Sequence, residues 1–542
     1  MMKRRIAHRI LVILGAYPDI GKGILTASCG YILQQQGVGV LPLKFDGYLN
    51  YNSGSMNPYH KLMDVLYEEE EVFVLGDGFE TDADSGYYER FLGMELPAEH
   101  NLTNGQLFAK LLSDEHTGKL PPGEILKFKH VRDLAVQWIT SHTSRTDVVV
   151  LEIGGTVGDP ESAVLYDALR LMRYGADVKI AVILLTPYFH PMDGEGLAKS
   201  SRTKLARQAF ERAAQAGLRP DLLALRCINP TIVSLSDWEF IASDCGIQTH
   251  NIFVIPDCSP VYELPTRLVE QRVHRQLTEL LSLRLTARDT NLLGRLETYC
   301  SLERAGRDGP LIRIGIFGKT VSQDSFVSLR EAVEHAAVAQ EYRADLVWID
   351  DLVNIPSQMA GVLHSLDGLI VAEGLTYWRE KIAALNFART HSLPTLCISL
   401  GFDLAAVELA RNVCGCADAF LEELEEGDSQ VRVQLAPFFA GSHNIKLMED
   451  SLLAKLYGKD RIAERHRHQS WLSRELVDQL VTAGVLDSGY SDNGNLEVFD
   501  WPVHPFYIAM KAHPEFKSWP GRPSPPFVGL IQAAKQCQRS RV

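Results

Sequence analysis

Short, continuous apolar runs rich in Val, Ile and Leu recur through the first half of the chain: ILVILGAY, VGVLPLKF, DVVVLEIGG, VKIAVILLTPY and NIFVIPD. Runs without polar alternation predict strands buried on both faces of a parallel sheet. Between them, ILTASCGYILQQQG and RTKLARQAFERAAQAG carry amphipathic helical spacing. This alternation predicts an α/β domain whose functional groups lie just beyond the carboxyl ends of its strands. From about residue 265 the pattern changes to a long charged segment, VEQRVHRQLTELLSLRLTARDTNLLGRLETYCSLERAGRDG, read as a helix and linker. Strand–loop–helix alternation then restarts at LIRIGIFG and continues through LVWIDD, GLIVAEG, PTLCISL and FYIAMKAHPEF. The expected organisation is a first domain over 1–275, a helical linker over 276–309 and a second α/β domain over 310–542.

The totals narrow the class of protein. At 542 residues the chain is too long for one core. A net charge of −14 speaks against a general nucleic-acid-binding surface. No apolar run approaches the ~20 residues that cross a bilayer, so no membrane partner is expected. The start, MMKRRIAHRILVILGAY, imitates a signal peptide but runs straight into PDIGKG without a cleavage pattern, and is read as a first buried strand. Nine scattered cysteines fit free thiols in a cytoplasmic protein. The acidic runs EEEE at 68–71 and EELEEGD are expected to be solvated.

Four stretches carry chemistry. GAYPDIGKG follows the first strand and opens a helix, so Gly21, Lys22 and Gly23 can present N–H groups and an ammonium to phosphates. Gly23 stands where a hydroxyl residue usually ligates magnesium, which shifts metal binding onto carboxylates. Candidates are Asp82 and Asp84 in GFETDADSGYYERF, and Glu152, Asp159 and Glu161 in LEIGGTVGDPES. In the second half, LCISLGFD reads as strand, tight bend and helix with Ser399 at the bend. A side chain there is a working nucleophile, a replaced one or a polar loop residue.

GKGILTAS, LKFDGYLNYNSGSMNP, EVFVLGDGFETDADSGYYERF, NLTNG, VVVLEIGGTVGDPES, ERHRH and AHPEF stand in the order found in the CTP synthase family, which the chain resembles over nearly its whole length. The resemblance implies a P-loop-type parallel-sheet synthase domain followed by a class I glutamine amidotransferase-like domain. It implies ATP and Mg2+ as cofactors, a pyrimidine nucleotide and an amine donor as partners, and a homotetramer. By position, Lys22 and Lys44 resemble the lysines on the ATP phosphates, with Gly21, Gly23 and Asp84 also at the ATP site. Asp84 and Glu152 resemble the metal ligands. Gly154, Gly155, Thr156, Asp159 and Glu161 resemble the pyrimidine nucleotide site. Arg202, Lys204 and Arg207 replace a family stretch that holds a triphosphate, keeping positive charge but losing a proline and a glutamine. Glu124 and Leu126 replace polar residues near the pyrimidine, and the loop from Tyr59 to Glu70 is longer than the family's.

The amidotransferase half departs further. The family's nucleophilic cysteine is Ser399 here, while His513 and Glu515 keep the other two triad places. Cys397 replaces the elbow glycine and is displaced by the bend. Glu373 brings a negative charge into the segment that should stabilise an oxyanion. Asp403 replaces a glutamine-contacting Gln, and Gln469 an Arg that pairs with the substrate carboxylate. Ser399 is therefore read as a replaced nucleophile. The expected activity is ATP-dependent amidoligation, with the 4-oxygen of UTP or a related pyrimidine nucleotide phosphorylated and then displaced by ammonia or another amine. The alternatives are a non-catalytic regulatory or assembly relative and, behind it, a Ser399–His513–Glu515 hydrolase.

Overall fold

The computed structural model describes residues 8–52, 71–120, 123, 125–188, 199–227, 233–283, 294–317, 325–349 and 356–541. The Tyr59–Glu70 loop and Glu124 lie outside them, and the side chain of Arg202 is likewise not described. The chain forms two compact units, one of residues 1–55, 87–94 and 99–300, the other of 56–86, 95–98 and 301–542.

The first unit is built on a seven-stranded sheet in the order Asn101–Thr103, Val40–Asp46, Val148–Ile153, His8–Gly15, Val178–Pro187, Leu222–Arg226, Ile252–Ile255. Every neighbouring pair is parallel. Alternate side chains serve cores on opposite faces: Leu43, Phe45, Leu151 and Ile153 on one, Val148 and Val150 on the other with Leu25, Cys29 and Ile32 of the helix Lys22–Gln35. On this second face Lys44 and Glu152 continue the alternation, and they are paired in register on neighbouring strands. Two buried charges thus stand where the apolar pattern would place another valine, beside the loops at the strand ends.

The charged segment after residue 264 is not one helix. Leu264–Glu270 and Val273–Leu280 are separated by Arg272 in the left-handed region, with φ 63°, and Arg295–Gly306 follows the undescribed residues 284–293. A continuous hydrophobic spacing hid the break, because no glycine or proline marks it.

The second unit carries a ten-stranded mixed sheet. Its parallel half runs Arg343–Trp348, Leu311–Phe317, Gly368–Val371, Thr395–Ile398, Tyr507–Met510. Leu496–Asp500, Leu486–Ser491 and Arg432–Leu447 continue it antiparallel, and Arg461–Leu472 pairs with Arg432–Leu447. Residues 71–86 belong to this unit, although the sequence reading assigns them to the first domain. The reason is a buried cation: Arg465 is fully enclosed, donates to the Val74 carbonyl at 2.9 Å and lies over the Phe73 ring, which in turn meets Phe516 at 5.0 Å.

Candidate functional site

In the first unit the strands His8–Gly15 and Val148–Ile153 are neighbours whose following helices lie on opposite faces of the sheet. Loops leaving such a pair diverge and open a crevice at their carboxyl ends. The first loop ends at Gly21, whose φ of 97° suits a residue without a side chain and leads into Lys22 as the first residue of the helix. No side chain caps this helix, so its first N–H groups remain for an anion. Lys22 is 6% exposed, and its Nζ donates to the carbonyls of Tyr17 at 3.3 Å and Gly155 at 3.2 Å. The ammonium therefore ties the two loops together and stands between them.

Glu152, the penultimate residue of the second of these strands, is 1% exposed. Its Oε2 accepts from Thr26 at 3.1 Å and from the Tyr88 hydroxyl at 2.5 Å. The sequence reading missed both donors; Thr26 lies one helical turn after Lys22, a spacing that puts the two on one face. Lys44 is 4% exposed beside Glu152. A side chain at position 154 would overlap the Asp46 carboxylate, so glycine is required for the backbone to pass there. Thr156 N–H donates to Asp159 Oδ2 at 2.8 Å, which folds that loop on its own carboxylate. Glu161 is exposed, and its carbonyl accepts from Asn104 at 2.6 Å. Lys204 is exposed, while Arg207 forms an ion pair with Asp244 at 3.3 Å. Asp84 lies in the first turn of the helix Ala83–Leu92, its N–H bonded to Asp82 Oδ1 at 3.1 Å. Leu126, at the start of the helix Lys127–Thr143, is exposed.

The second unit gathers Glu373, Ser399, His513 and Glu515 beyond three successive parallel strands: Gly368–Val371, Thr395–Ile398 and Tyr507–Met510. Ser399 has φ 56° and ψ −112°, a strained bend for a residue with a side chain. Its N–H is held by the Met510 carbonyl at 3.0 Å, and a Cβ at Gly401 would overlap the Val371 carbonyl. Close packing of three strand ends thus enforces the bend. Cys397 is wholly buried, and burial pushes its thiol far up, so it has no thiolate to offer.

His513 Nδ1 and Glu515 Oε1 are 2.7 Å apart, the geometry of a histidine oriented by a carboxylate. The other ring nitrogen, Nε2, has no hydrogen-bond partner, so it is not joined to Ser399. Glu373 Oε2 lies 3.9 Å from it. Burial alone would lower the imidazole; the Glu515 carboxylate and its hydrogen bond, then Glu373, outweigh this and hold His513 above the ordinary histidine range. With no hydrogen bond joining His513 to Ser399 and the Glu373 carboxylate beside its Nε2, the ring is not placed to take a proton from Ser399.

Ser399 opens onto a cleft lined also by Leu375, Phe438, Arg467 and His468. Inside it Asp403 Oδ2 is held by Lys511 at 2.5 Å and Ser470 at 2.8 Å, all three side chains buried. Arg467 bonds Glu80 at 2.8 Å and approaches Glu373 at 3.8 Å. Gln469 donates to Glu423 at 3.2 Å. EELEEGD is thus not simply solvated: Glu423 is half-buried in the cleft lining, and Glu422 and Glu425 pair with Arg432 and Arg411 at 2.6 Å. Glu71, the last of the EEEE run, accepts from the Ser328 backbone at 2.9 Å. A run of like charge hid these pairings, since every partner comes from a distant segment.

Comparison with known proteins agrees with this architecture. The model of the CTP synthase N-terminus matches residues 8–283, and that of class-I glutamine amidotransferase matches residues 321–533. The CTP synthase of Archaeoglobus fulgidus is 32% identical over 554 aligned residues, covering 98% of this chain and 99% of that protein. The CTP synthase of Pyrobaculum calidifontis is 33% identical over 547, with coverage of 98% and 99%. Among solved structures, the glutaminase domain of Trypanosoma brucei CTPS with bound acivicin is 28% identical, covering 42% of this chain and 94% of that one at a TM-score of 0.39. With both halves matched in order and relatives aligned from end to end, the chain belongs to the CTP synthase family.

Proposed function

We propose that the chain is an ATP-dependent amidoligase acting on UTP or a related pyrimidine nucleotide, with ammonia or another amine as nitrogen donor and without a working glutaminase. One observation carries the synthase half: Lys22 stands at an uncapped helix N-terminus and bridges the two loops beside Glu152, a carboxylate fixed by Thr26 and Tyr88. Gly21, Lys22, Gly23 and Lys44 receive the ATP phosphates in this reading. Gly154, Gly155, Thr156, Asp159 and Glu161, with Arg202, Lys204 and Arg207, receive the pyrimidine nucleotide.

The γ-phosphoryl group passes to the pyrimidine 4-oxygen, ADP leaves, ammonia adds at C4 and inorganic phosphate departs. The work of the protein is positioning and charge neutralisation. Lys22 compensates charge on the transferring oxygens, and the helix N–H groups hold them still. The carboxylate of Glu152, a hard oxygen donor held in place by the Thr26 and Tyr88 hydroxyls, fits Mg2+; Asp84 is assigned as its second ligand from the sequence resemblance alone. When bound, the ion would add positive charge at the phosphates. Arg207 would have to leave Asp244 to reach a triphosphate.

Loss of glutaminase is supported by the Ser399 hydroxyl lacking a base and by Glu373 beside His513. An anionic tetrahedral intermediate would form against a carboxylate. Purified protein with ATP, magnesium and UTP should yield CTP with ammonium and none with glutamine. CTP formed efficiently from glutamine, or nucleotide binding without turnover under either donor, overturns the proposal.

A further inference from the structure

In the second unit, the cleft beside Ser399 is unbalanced in charge. Three carboxylates line it, Glu373, Asp403 and Glu423, against two cations, Arg467 and Lys511. Both cations are committed: Lys511 to Asp403 Oδ2 and Ser470, Arg467 to Glu80. An anionic ligand would have to break one of these buried pairs, which is costly because it strands the partner charge.

Unused acceptors face the opposite demand. Asp403 is 1% exposed, and its Oδ1 has no hydrogen-bond partner. His468, also in the cleft wall and 8% exposed, has no partner on either ring nitrogen. It packs against Trp471, with ring centroids 4.5 Å apart. Burial, and after it the charge of Lys511, lower the His468 pKa far below the ordinary range, so the ring is neutral and one nitrogen accepts. Native structures seldom leave buried polar atoms unsatisfied, and such atoms in a cleft wall mark where a ligand completes them. Glu373 meets Arg467 and His513 only at 3.8 and 3.9 Å, beyond hydrogen-bond reach.

We infer that this cleft binds a small primary ammonium ion, NH4+ or a short alkylammonium, with Glu373, Glu423, Asp403 Oδ1 and His468 as its acceptors. Three or four acceptors match the donors of an ammonium group, and its charge is met by Glu373, which lies beyond hydrogen-bond reach of Arg467 and His513, and by Glu423, whose bond is to the neutral Gln469. Its role as a reservoir of nitrogen donor rests on the ammonia-dependent reading above; the binding itself does not.

Saturation-transfer NMR on the full chain, with methylammonium as probe and L-glutamine as competitor, tests the inference. Saturable binding is expected for the parent protein and for Lys22→Ala, which should be inactive as a ligase, so binding is read apart from turnover. In Glu373→Gln/Glu423→Gln the affinity should fall at least tenfold. Gln469→Arg, which sets a fixed cation beside Glu423, should produce a similar loss in a residue type the family accommodates, and its unfolding temperature reports that the fold is intact. Absence of saturable methylammonium binding to the parent, unchanged affinity in both folded variants, or displacement by glutamine at lower concentration than unlabelled methylammonium overturns it. A failure of CTP synthesis from ammonium with these binding results intact would sink the proposed reaction and leave the cation site standing.

Discussion

Ser399 holds a backbone conformation that a nucleophile elbow needs and a non-nucleophile does not. Residues kept at such angles cost about 1–3 kcal/mol. Ser399→Gly removes that strain, because glycine adopts positive φ without a Cβ clash. Against this, glycine loses about 0.5–1 kcal/mol more conformational entropy on folding. The side chain deleted is small, does not cap the following helix and is not bonded to His513, so little else is lost. The balance predicts stabilisation of about 1 kcal/mol, read as a rise of about 2–4 °C in the unfolding temperature of a unit of this size. Scanning calorimetry of the full chain measures it, with CTP synthesis from ammonium assayed alongside. No change in that activity is expected. A fall in unfolding temperature of the same size would refute the strain argument, and a loss of ligase activity would show that the hydroxyl does work after all.

Gly401→Ala should destabilise the second unit by about 1–3 kcal/mol or more, since its Cβ would overlap the Val371 carbonyl and one strand end must move; urea unfolding checks this. Lys22→Ala should lower kcat/KM for ATP by at least about 100-fold, as it removes the ammonium from the phosphate crevice and frees the Tyr17 and Gly155 carbonyls; steady-state kinetics with ammonium read it. Burial, opposed by Lys517, the Tyr457 hydrogen bond and Arg465, raises the Glu464 carboxyl to about 7. The unfolded chain gives up this proton first, so stability contributed by the protonated folded form falls as pH rises from the usual glutamate range to about 7. Glu464→Gln should therefore gain stability over the parent between pH 5 and pH 8; a gain that shrinks with rising pH would contradict the burial argument. Finally, Ser399→Cys alone should not restore glutamine-dependent synthesis, while Ser399→Cys with Glu373→Gly should raise it above either single change, as followed by glutamate release.

The α/β architecture and the parallel strands were legible because buried strands write themselves as unbroken apolar runs. The phosphate loop was legible because glycine and lysine spacing states its geometry directly. Thr26 and Tyr88 were not, since a hydroxyl that donates to a carboxylate 126 or 64 residues away leaves no local signature. Strands Arg432–Leu447 and Arg461–Leu472 escaped notice for a related reason. Buried polar residues such as His466 and Arg467 find partners elsewhere, so their pattern never becomes apolar. Ser399, His513 and Glu373 were each visible as letters, but the sequence could not say that the histidine would meet the glutamate rather than the serine.

That last contact changes how the cleft should be understood. A single loss of the thiol would leave a weakened amidase whose oxyanion segment, base and carboxylate partner still awaited substrate. Here the negative charge of Glu373 lies 3.9 Å from His513, and Gln469 occupies itself with Glu423. Each change favours positive charge in the cleft and opposes the negative charge that amide hydrolysis develops. Random decay of an unused site would scatter substitutions without regard to sign. On the reading proposed above, changes that agree in sign around a preserved bend, with Asp403 Oδ1 and the His468 ring buried and unsatisfied, are those expected of a pocket whose ligand has been exchanged rather than abandoned.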